Sequence, residues 1–234
     1  MITRKTRMAA LILAIGLSGT AQAALYDRGG GLIYDDVLNV TWLQDANYAM
    51  TSGYHANGLM TWDAAVAWVD QLVYGGFDDW RLPTVNPIGA TFNYDFSNNG
   101  STDIGYGNSS PNSEMAYMYY ANLNNLGYCT PNGGGSTLSC NEQGGWGLNH
   151  TWPFLNIQPD TYWLGTEYEP DTSGSNAWDF GMGVGGQYAS TKLNQRFAWA
   201  VRDGDVAAVP EPETYAMMLA GLGLVGFLAR SRKH

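Results

Sequence analysis

The alternation of apolar and polar positions predicts short structural elements in the central part of the chain. Two short strands are predicted within residues 31–43, on either side of an Asp-rich turn. Thr61 can cap a first helix, with Asp63 in its first turn, where a carboxylate suits the helix dipole. Gly75 and Gly76 end that helical pattern. The apolar residues at helical spacing are Trp62, Ala65, Val66, Val69, Leu72 and Val73.

A second helix is predicted from Ser113 to about Leu126. Beyond Trp146 the pattern changes to short, aromatic-rich β segments at 162–165, 177–180 and 197–202. Two helices followed by several short strands predict an α+β domain, with the helices packed on a twisted antiparallel sheet and long loops between elements. The apolar side of the second helix is formed by Met115, Met118, Tyr119, Leu123 and Leu126.

The first 23 residues have the pattern of a Sec signal peptide. Arg4, Lys5 and Arg7 precede an apolar stretch at 8–17, and Ala21-Gln22-Ala23 is a small-x-small cleavage site. The alternative is a buried N-terminal helix, against which the charged front and the Ala-x-Ala stop both argue. We therefore expect the mature body to begin near Ala24 and to fold outside the cytoplasm.

The C-terminal end combines Pro210, Glu211 and Pro212 with an apolar run at 215–229 and a basic end at 230–234. As a helix, the apolar run covers only about 23 Å, which is short against a hydrocarbon core of roughly 30 Å. Lys and Arg keep the basic end on the cytoplasmic side, so we expect transient insertion into the inner membrane. An ordinary tail anchor is the alternative.

In their order and position, residues 207–234 resemble the PEP-CTERM sorting signal. This resemblance implies recognition and cleavage by an exosortase in a Gram-negative envelope, with the product at the cell surface or outside the cell. In cells that use this sorting system, it also implies association with exopolysaccharide and biofilm formation.

Charge restricts the partners of the body between the two signals. Residues 24–209 contain five Lys and Arg against 19 Asp and Glu, a formal charge of −14, compared with −10 for the whole chain. Such a field repels polyanions, and nucleic acid needs cationic side chains to replace its counterions. Nucleic acid is therefore excluded as a partner, while neutral glycans, cations and cationic surfaces stay open.

Five short motifs of the body occur in a fixed order, at 61–65, 80–84, 162–167, 177–178 and 199–202. Together they resemble the Lcl C-terminal domain family, which is related to the C-type lectin-like fold, over about Gly31 to Arg202. The resemblance implies a domain of this fold at 24–206 and a location at the cell surface, and it supplies no catalytic residues. Leu164-Gly165 departs from the family pattern, and residues 92–112 look like an insertion.

The two cysteines, Cys129 and Cys140, enclose ten residues rich in Gly, Asn and Ser. In an oxidising compartment this pair is expected to form a disulfide that pins a surface loop. The alternatives are a redox pair, which the spacing does not favour, and two metal thiolates, for which no second pair is present.

Most of the tryptophans are predicted to be structural. Trp80 to Thr84 is interpreted as a corner, in which Pro83 biases Leu82 toward extended geometry and Arg81 pairs with a carboxylate. Arg202 is expected to act similarly. Trp146 and Trp152, in Gly/Asn-rich surroundings, are the candidates for exposed aromatic contacts. The tryptophans predicted to be buried are Trp42, Trp62, Trp80, Trp163, Trp178 and Trp199.

Two places have oxygen side chains at spacings that suit calcium. The first is the segment that begins at Asp95, with Gly100 at its sixth position and oxygen-bearing side chains at alternate positions, as in a calcium-binding loop. Its twelfth position, where such a loop carries a bidentate Glu, is Tyr106. A floppy polar insertion is the alternative. The second place combines 158–160 with Glu167, Asn176 and Asp179, in an order that differs from sugar-binding lectins. The candidates at the first place are Asp95, Ser97, Asn99, Ser101 and Asp103.

We expect a non-enzymatic protein of the cell surface or extracellular matrix that binds or organises exopolysaccharide. His55, His150 and His234 are isolated, and no nucleophile–base grouping is evident. The alternative is a secreted glycan-active hydrolase on the same scaffold, with Glu167 and Glu169 as the carboxylate pair. The ligand itself is not identified by the sequence.

Overall fold

The computed structural model describes residues 24–131, 140–170 and 172–206. The predicted signal peptide and the predicted sorting signal, with Pro210, Glu211 and Pro212, lie outside these ranges. Within them, no helix has the length and apolar character needed to cross a bilayer. The elements are β1 (Leu25–Gly29), β2 (Leu32–Asp35), β3 (Val40–Leu43), α1 (Tyr48–Thr51), α2 (Trp62–Asp70), β4 (Phe96–Ser97), β5 (Ile104–Tyr106), α3 (Glu114–Tyr117), a π-helix (Met118–Asn122), β6 (Thr161–Glu167), β7 (Asn176–Gly181), β8 (Gly186–Thr191) and β9 (Val201–Asp203).

The first sheet joins the two ends of the described body. Its order is β1-β2-β3-β9 with every pair antiparallel. The predicted hairpin around the Asp-rich turn is confirmed as β2 and β3, paired from Leu32 opposite Leu43 to Asp35 opposite Val40. Trp42 pairs with Val201 on the last strand, so residues far apart in sequence share one ladder.

The second sheet has the order β4-β5-β8-β7-β6 and is antiparallel except for the parallel β4–β5 pair. The α+β class is therefore confirmed, whereas the expected single sheet is wrong. The segment predicted as one strand at 197–202 divides between the two sheets. Phe197 bridges to Tyr162 in β6, while Val201 pairs with Trp42 in the first sheet. The chain passes from one sheet to the other between these residues.

The first predicted helix is confirmed but shorter than expected. Thr61 caps α2, and its hydroxyl accepts a hydrogen bond from the Ala64 amide at 3.4 Å. The helix ends at Asp70, so the pattern no longer holds at Val73, which is 71% exposed. Trp68, which the pattern did not select, is buried instead.

The second predicted helix is a short α-helix followed by a π-helix. Ser113 caps α3 by accepting a hydrogen bond from the Ala116 amide at 3.3 Å. The wider π turn shifts the side-chain register, and Asn124, at φ 53°, lies beyond its end. Leu126 therefore leaves the apolar face and is 46% exposed. The other predicted positions are buried: Met115, Met118, Tyr119 and Leu123.

Aromatic side chains fill the core between the elements. The indole N–H of Trp163 donates to the carbonyl of Met60 at 2.9 Å, and that of Trp199 donates to Leu43 at 2.7 Å. These bonds satisfy polar atoms that burial would otherwise leave unpaired. Trp62 is only half-buried, under the Lys192 ammonium at 4.3 Å. The other predictions of burial are confirmed, for Trp42, Trp80, Trp163, Trp178 and Trp199.

Arg81 connects three elements, as the interpretation of its motif as a corner requires. Its backbone pairs with Val201 in both directions, at 2.8 and 2.9 Å. Its guanidinium donates to both carboxylate oxygens of Glu114, at 2.7 and 2.8 Å, and to Asp203 at 2.5 Å. Glu114 is buried at the start of α3 and also accepts from the Thr84 amide at 2.7 Å.

Two further arginines pair with carboxylates near the C-terminal side of the body. Arg202 donates to both oxygens of Asp79, at 2.7 and 2.8 Å, as its predicted role implies. Arg28 on β1 makes the same type of contact with Asp205, at 2.8 and 2.6 Å. Val206, the next residue, is 5% exposed, so the chain is held to the body up to that point.

The Asp35 carboxylate organises the turn between β2 and β3. It is fully buried, and one oxygen accepts from the amides of Val37 and Leu38 at 3.1 and 3.0 Å. The other oxygen accepts from the Asn122 amide group at 2.5 Å. Burial raises the pKa of Asp35, against these hydrogen bonds, which lower it. The charged form is therefore disfavoured, although its geometry is well satisfied.

Replacing Asp35 tests this balance. Asp35→Ala leaves buried donors unpaired and should lower the free energy of unfolding by on the order of 3 kcal/mol. Asp35→Asn should cost far less, because rotation of the Asn122 amide group by half a turn lets the new amide donate to the Asn122 side-chain oxygen, which lacks a described partner. Both are measured by urea unfolding.

The pH dependence of Asp35→Asn has a definite sign. Because the folded-state pKa of Asp35 is raised, the folded protein binds more protons than the unfolded chain between the two pKa values. Stability from this group therefore rises as pH falls through the raised value. Asparagine does not titrate, so the stability of Asp35→Asn relative to wild type should fall from pH 7 toward pH 4. A relative stability that rises over this interval would contradict the assignment.

Removal of Arg81 should destabilise the protein strongly. Arg81→Met leaves the nearly buried Glu114 carboxylate without its cation, which should lower the free energy of unfolding by about 3 kcal/mol. The double variant with Glu114→Gln should recover part of this loss. Arg28→Met is the matched control, since its bidentate pair with Asp205 is solvent-exposed and should matter less. Equal losses in the two arginine variants would refute the role given to Arg81.

Candidate functional site

The predicted disulfide joins Cys129 to Cys140, with the two Cα atoms 5.4 Å apart. The flanking backbone forms a short ladder, in which the Thr130 amide donates to the Asn141 carbonyl at 2.8 Å. Residues 132–139, between the cysteines, lie outside the described ranges. The bond therefore fixes the two ends of this loop to the body.

The first calcium candidate forms a hydrogen-bonded turn around Ser97. The Ser97 hydroxyl donates to Asn99 at 2.7 Å and accepts from the Ser101 hydroxyl at 3.2 Å. Asp95 is exposed, whereas Asp103 is 1% exposed and accepts from the Asn93 amide at 2.8 Å. The two end carboxylates thus face different environments. Calcium binding by the whole set stays a prediction.

The second calcium candidate is divided along β6. Gln158 and Asp160 lie before its first residue, whereas Glu167 is its last, roughly 20 Å away along an extended strand. Asp179 is 2% exposed, with one oxygen 3.5 Å from the Arg196 guanidinium, and burial raises the pKa of its carboxyl group. The structure therefore does not bring this set together. In the described part of the chain, no three His, Cys, Asp or Glu are grouped to hold a metal.

Trp146, the first candidate for an exposed aromatic contact, is half-buried. Its indole N–H donates to Glu142 at 2.6 Å, and its ring meets Tyr128 edge-on at 5.0 Å. Both contacts hold the ring against its own loop. Trp146 is therefore a structural side chain, unlike the second candidate.

Trp152 is 85% exposed, as the sequence predicts. Leu155, three residues later, is 54% exposed, and Asn156 beside it donates to Asp45 at 3.0 Å. We call Trp152, Leu155, Asn156 and Asp45 the Trp152 platform. Its members carry an indole ring, a branched apolar side chain, an amide and a carboxylate, on the loop at 152–156 and on the residue that bridges to Leu155.

The backbone before Trp152 is held by a buried side chain. Asn125, 3% exposed, accepts from the amides of Asn149 and His150 at 2.9 and 2.8 Å. Its own amide group donates to the carbonyl of His150 at 2.9 Å. All three bonds use one asparagine, which follows the π-helix.

The backbone after Trp152 is held by the segment that follows β3. Gln44 donates from its side chain to the carbonyl of Pro153 at 2.9 Å, and its carbonyl accepts from the Leu155 amide at 2.8 Å. Phe154 is buried against Trp199, with ring centroids 4.8 Å apart. An exposed ring on a backbone fixed at both sides loses little conformational freedom when a ligand binds.

The chemistry of the platform suits a ligand with both apolar and hydroxyl-bearing faces. An exposed aromatic ring offers a flat apolar surface, while Asn156 and Asp45 offer hydrogen-bonding groups at its side. The platform contains no cationic side chain.

Comparison with known families gives two matches. The model of the Lcl C-terminal domain matches residues 31–202, and that of the PEP-CTERM protein-sorting motif matches residues 208–233. No match was found among curated proteins or among solved structures. Both resemblances noted from the sequence are thus confirmed. Since the first match spans most of the chain, this protein belongs to the Lcl C-terminal domain family and carries a PEP-CTERM protein-sorting motif behind that domain.

Proposed function

We propose that this chain is a non-enzymatic protein of the bacterial cell surface or extracellular matrix that binds or organises exopolysaccharide. An exosortase of a Gram-negative envelope processes it at Pro210-Glu211-Pro212, after transient insertion of the apolar segment into the inner membrane. The observation that carries the proposal is the sorting motif at residues 208–233, which follows a family domain almost without a linker.

The fold that we propose is C-type lectin-like, as the family resemblance implies. The pairing of the N-terminal hairpin with β9 is consistent with such a domain, because both ends of the body then leave from one sheet. In a domain of this fold, we expect surface loops on a rigid scaffold to carry the adhesive contacts. The Trp152 platform is a loop surface of that kind.

Charge favours neutral polysaccharide as the ligand. The body between the two signals carries −14 formal charges, which repel a polyanion at long range. The Trp152 platform adds an aromatic ring that can pack on the C–H face of a sugar, beside hydrogen-bonding groups for its hydroxyls. These features support binding without electrostatic attraction.

A secreted glycan hydrolase on the same scaffold is the alternative function. The two carboxylates that the sequence offers to such an enzyme are Glu167 and Glu169. Glu167 lies 3.1 Å from the Lys192 ammonium, and Glu169 is exposed. A hydrolase needs an acid and a nucleophile at a set separation across a sugar. The described contacts therefore favour a binding role.

Removal of the Trp152 ring should weaken polysaccharide binding. Trp152→Ala should raise the Kd for exopolysaccharide from the producing cells about tenfold, which corresponds to about 1.4 kcal/mol of contact. The melting temperature should stay unchanged, because the ring is exposed. Leu193→Ala is the matched control, because Leu193 is 82% exposed but lies in the turn after β8, outside the platform. Equal binding by the two variants would count against the platform.

Processing can be read directly from the C-terminus of the protein. Mass spectrometry of protein from wild-type cells should show that the basic end at 230–234 is absent. Replacing Pro210, Glu211 and Pro212 with alanine should leave it attached. An intact basic end in the wild-type product would overturn the processing half of the proposal.

A further inference from the structure

A second aromatic surface is formed by residues that do not belong to the Trp152 platform. It is a groove of about 410 Å³ between α1, the turn after it and the C-terminal end of α2. This volume falls within the range of small-molecule sites. Its principal lining residues are Tyr48, Ser52, Tyr54, Trp68, Gln71 and Val73.

The aromatic rings of the groove differ in how far they are covered. Trp68 is buried, whereas Tyr54 is 47% exposed and lies 6.5 Å from it between ring centroids. Tyr48 is held edge-on against Tyr74 at 5.0 Å. The groove therefore has a fixed aromatic base and one ring that reaches toward solvent.

Polar atoms lie at the edge of the same rings. The Gln71 amide group donates to the Tyr54 hydroxyl at 3.0 Å and to the Ala67 carbonyl at 2.9 Å. Because that hydroxyl accepts from Gln71, its own proton is directed elsewhere and can be donated to a ligand. The remaining oxygen of Gln71 is an acceptor without a described partner in residues 24–131, 140–170 and 172–206. One donor and one acceptor thus flank an exposed ring.

The turn that carries Tyr54 is anchored to α1. The Gly53 amide donates to Met50, and the His55 amide donates to Ala49, both at 2.9 Å. Gly53 has φ 77°, a left-handed conformation that glycine adopts without strain. Tyr54 is therefore held by its backbone on both sides.

The groove is uncharged. Its lining residues include no Asp, Glu, Lys or Arg, and Asp70 next to Gln71 adds only negative charge. The lining has no cationic side chain to pair with a sulfated or uronic sugar, and no carboxylate to pair with an ammonium group. A neutral ligand with an apolar face and hydroxyl groups fits both the rings and the polar pair.

We propose that this groove binds one neutral hexopyranose unit of a glycan. The C–H face of the sugar packs on Tyr54 and Tyr48, and its hydroxyls exchange hydrogen bonds with Gln71 and the Tyr54 hydroxyl. The proposal rests on the proposed function only in taking an extracellular polysaccharide as the source of that unit. With the Trp152 platform, it gives the body two separate contacts for sugar.

The test uses the exported protein and defined neutral oligosaccharides. Cellohexaose, laminarihexaose and chitohexaose are titrated by isothermal calorimetry, with heparin as an anionic probe. At least one neutral hexasaccharide should bind. Tyr54→Ala should raise its Kd at least tenfold, and Tyr54→Phe or Gln71→Leu should raise it several-fold by removing only hydrogen-bonding atoms.

Tyr26→Ala is the matched control, because Tyr26 is 42% exposed on β1, an edge strand of the first sheet, and does not line the groove. It should leave the Kd for the hexasaccharide unchanged. Binding that is equal in the Tyr54 and Tyr26 variants would overturn the proposal. The proposal would also be overturned if only heparin binds, or if no neutral hexasaccharide binds at millimolar concentration. The same holds if Tyr54→Ala changes only the self-association of the protein, measured by analytical ultracentrifugation, and not its sugar binding.

Failure of this inference can be told apart from failure of the proposed function. Hexasaccharide binding that depends on Tyr54 supports the groove, even if the host exopolysaccharide does not bind. Exopolysaccharide binding that depends on Trp152, together with hexasaccharide binding that Tyr54→Ala leaves unchanged, refutes the groove and keeps the proposed function. The Trp152→Ala variant should retain Tyr54-dependent binding of the hexasaccharide.

Discussion

The contact between Arg81 and Glu114 is the constraint on which the arrangement of the body depends. A carboxylate at the buried start of α3 is costly without a cation, and Arg81 meets it with two parallel hydrogen bonds. The same residue pairs through its backbone with Val201 and through its side chain with Asp203. Helix α3, the corner at 80–84 and strand β9 are therefore positioned together, and both sheets depend on that position.

Burial of the aromatic residues makes the exposed ones informative. The rings of Trp42, Trp163 and Trp199 fill the core, and the latter two also satisfy their indole N–H groups. An exposed aromatic ring on such a body is not needed for packing. Trp152 and Tyr54 both lie on backbone that is hydrogen-bonded on either side, which is the property expected of a preorganised binding surface. The acidic charge of the body then disfavours anionic sugars and leaves neutral ones as ligands.

Local pattern predicted the hairpin of β2 and β3, the cap at Thr61 and the exposure of Trp152, because each depends on residues close in sequence. It failed where tertiary contacts or a weak local pattern decide. Trp146 is half-buried because Glu142, close to it in sequence, and Tyr128, further away, both contact it. Strand β8 was missed because its glycine and polar residues weaken the alternation. The sugar groove was also missed, since it joins a turn to the end of a helix that stops three residues early. The matched family domain, by contrast, was recognisable from five spaced motifs.

The attachment of Arg28 to Asp205 limits the reach of whatever follows the body. Val206 is buried and is the last described residue, and Pro210 is four residues further in the sequence, so the two are separated by at most about 14 Å even if the chain is fully extended. A protease that cuts at this proline works almost in contact with a folded, strongly acidic neighbour. Its own rim must leave space for that neighbour and must not be acidic, because like charges at this range repel. We therefore expect the shape and charge of the folded domain to influence which substrates such a protease accepts, in addition to the three residues of the tag.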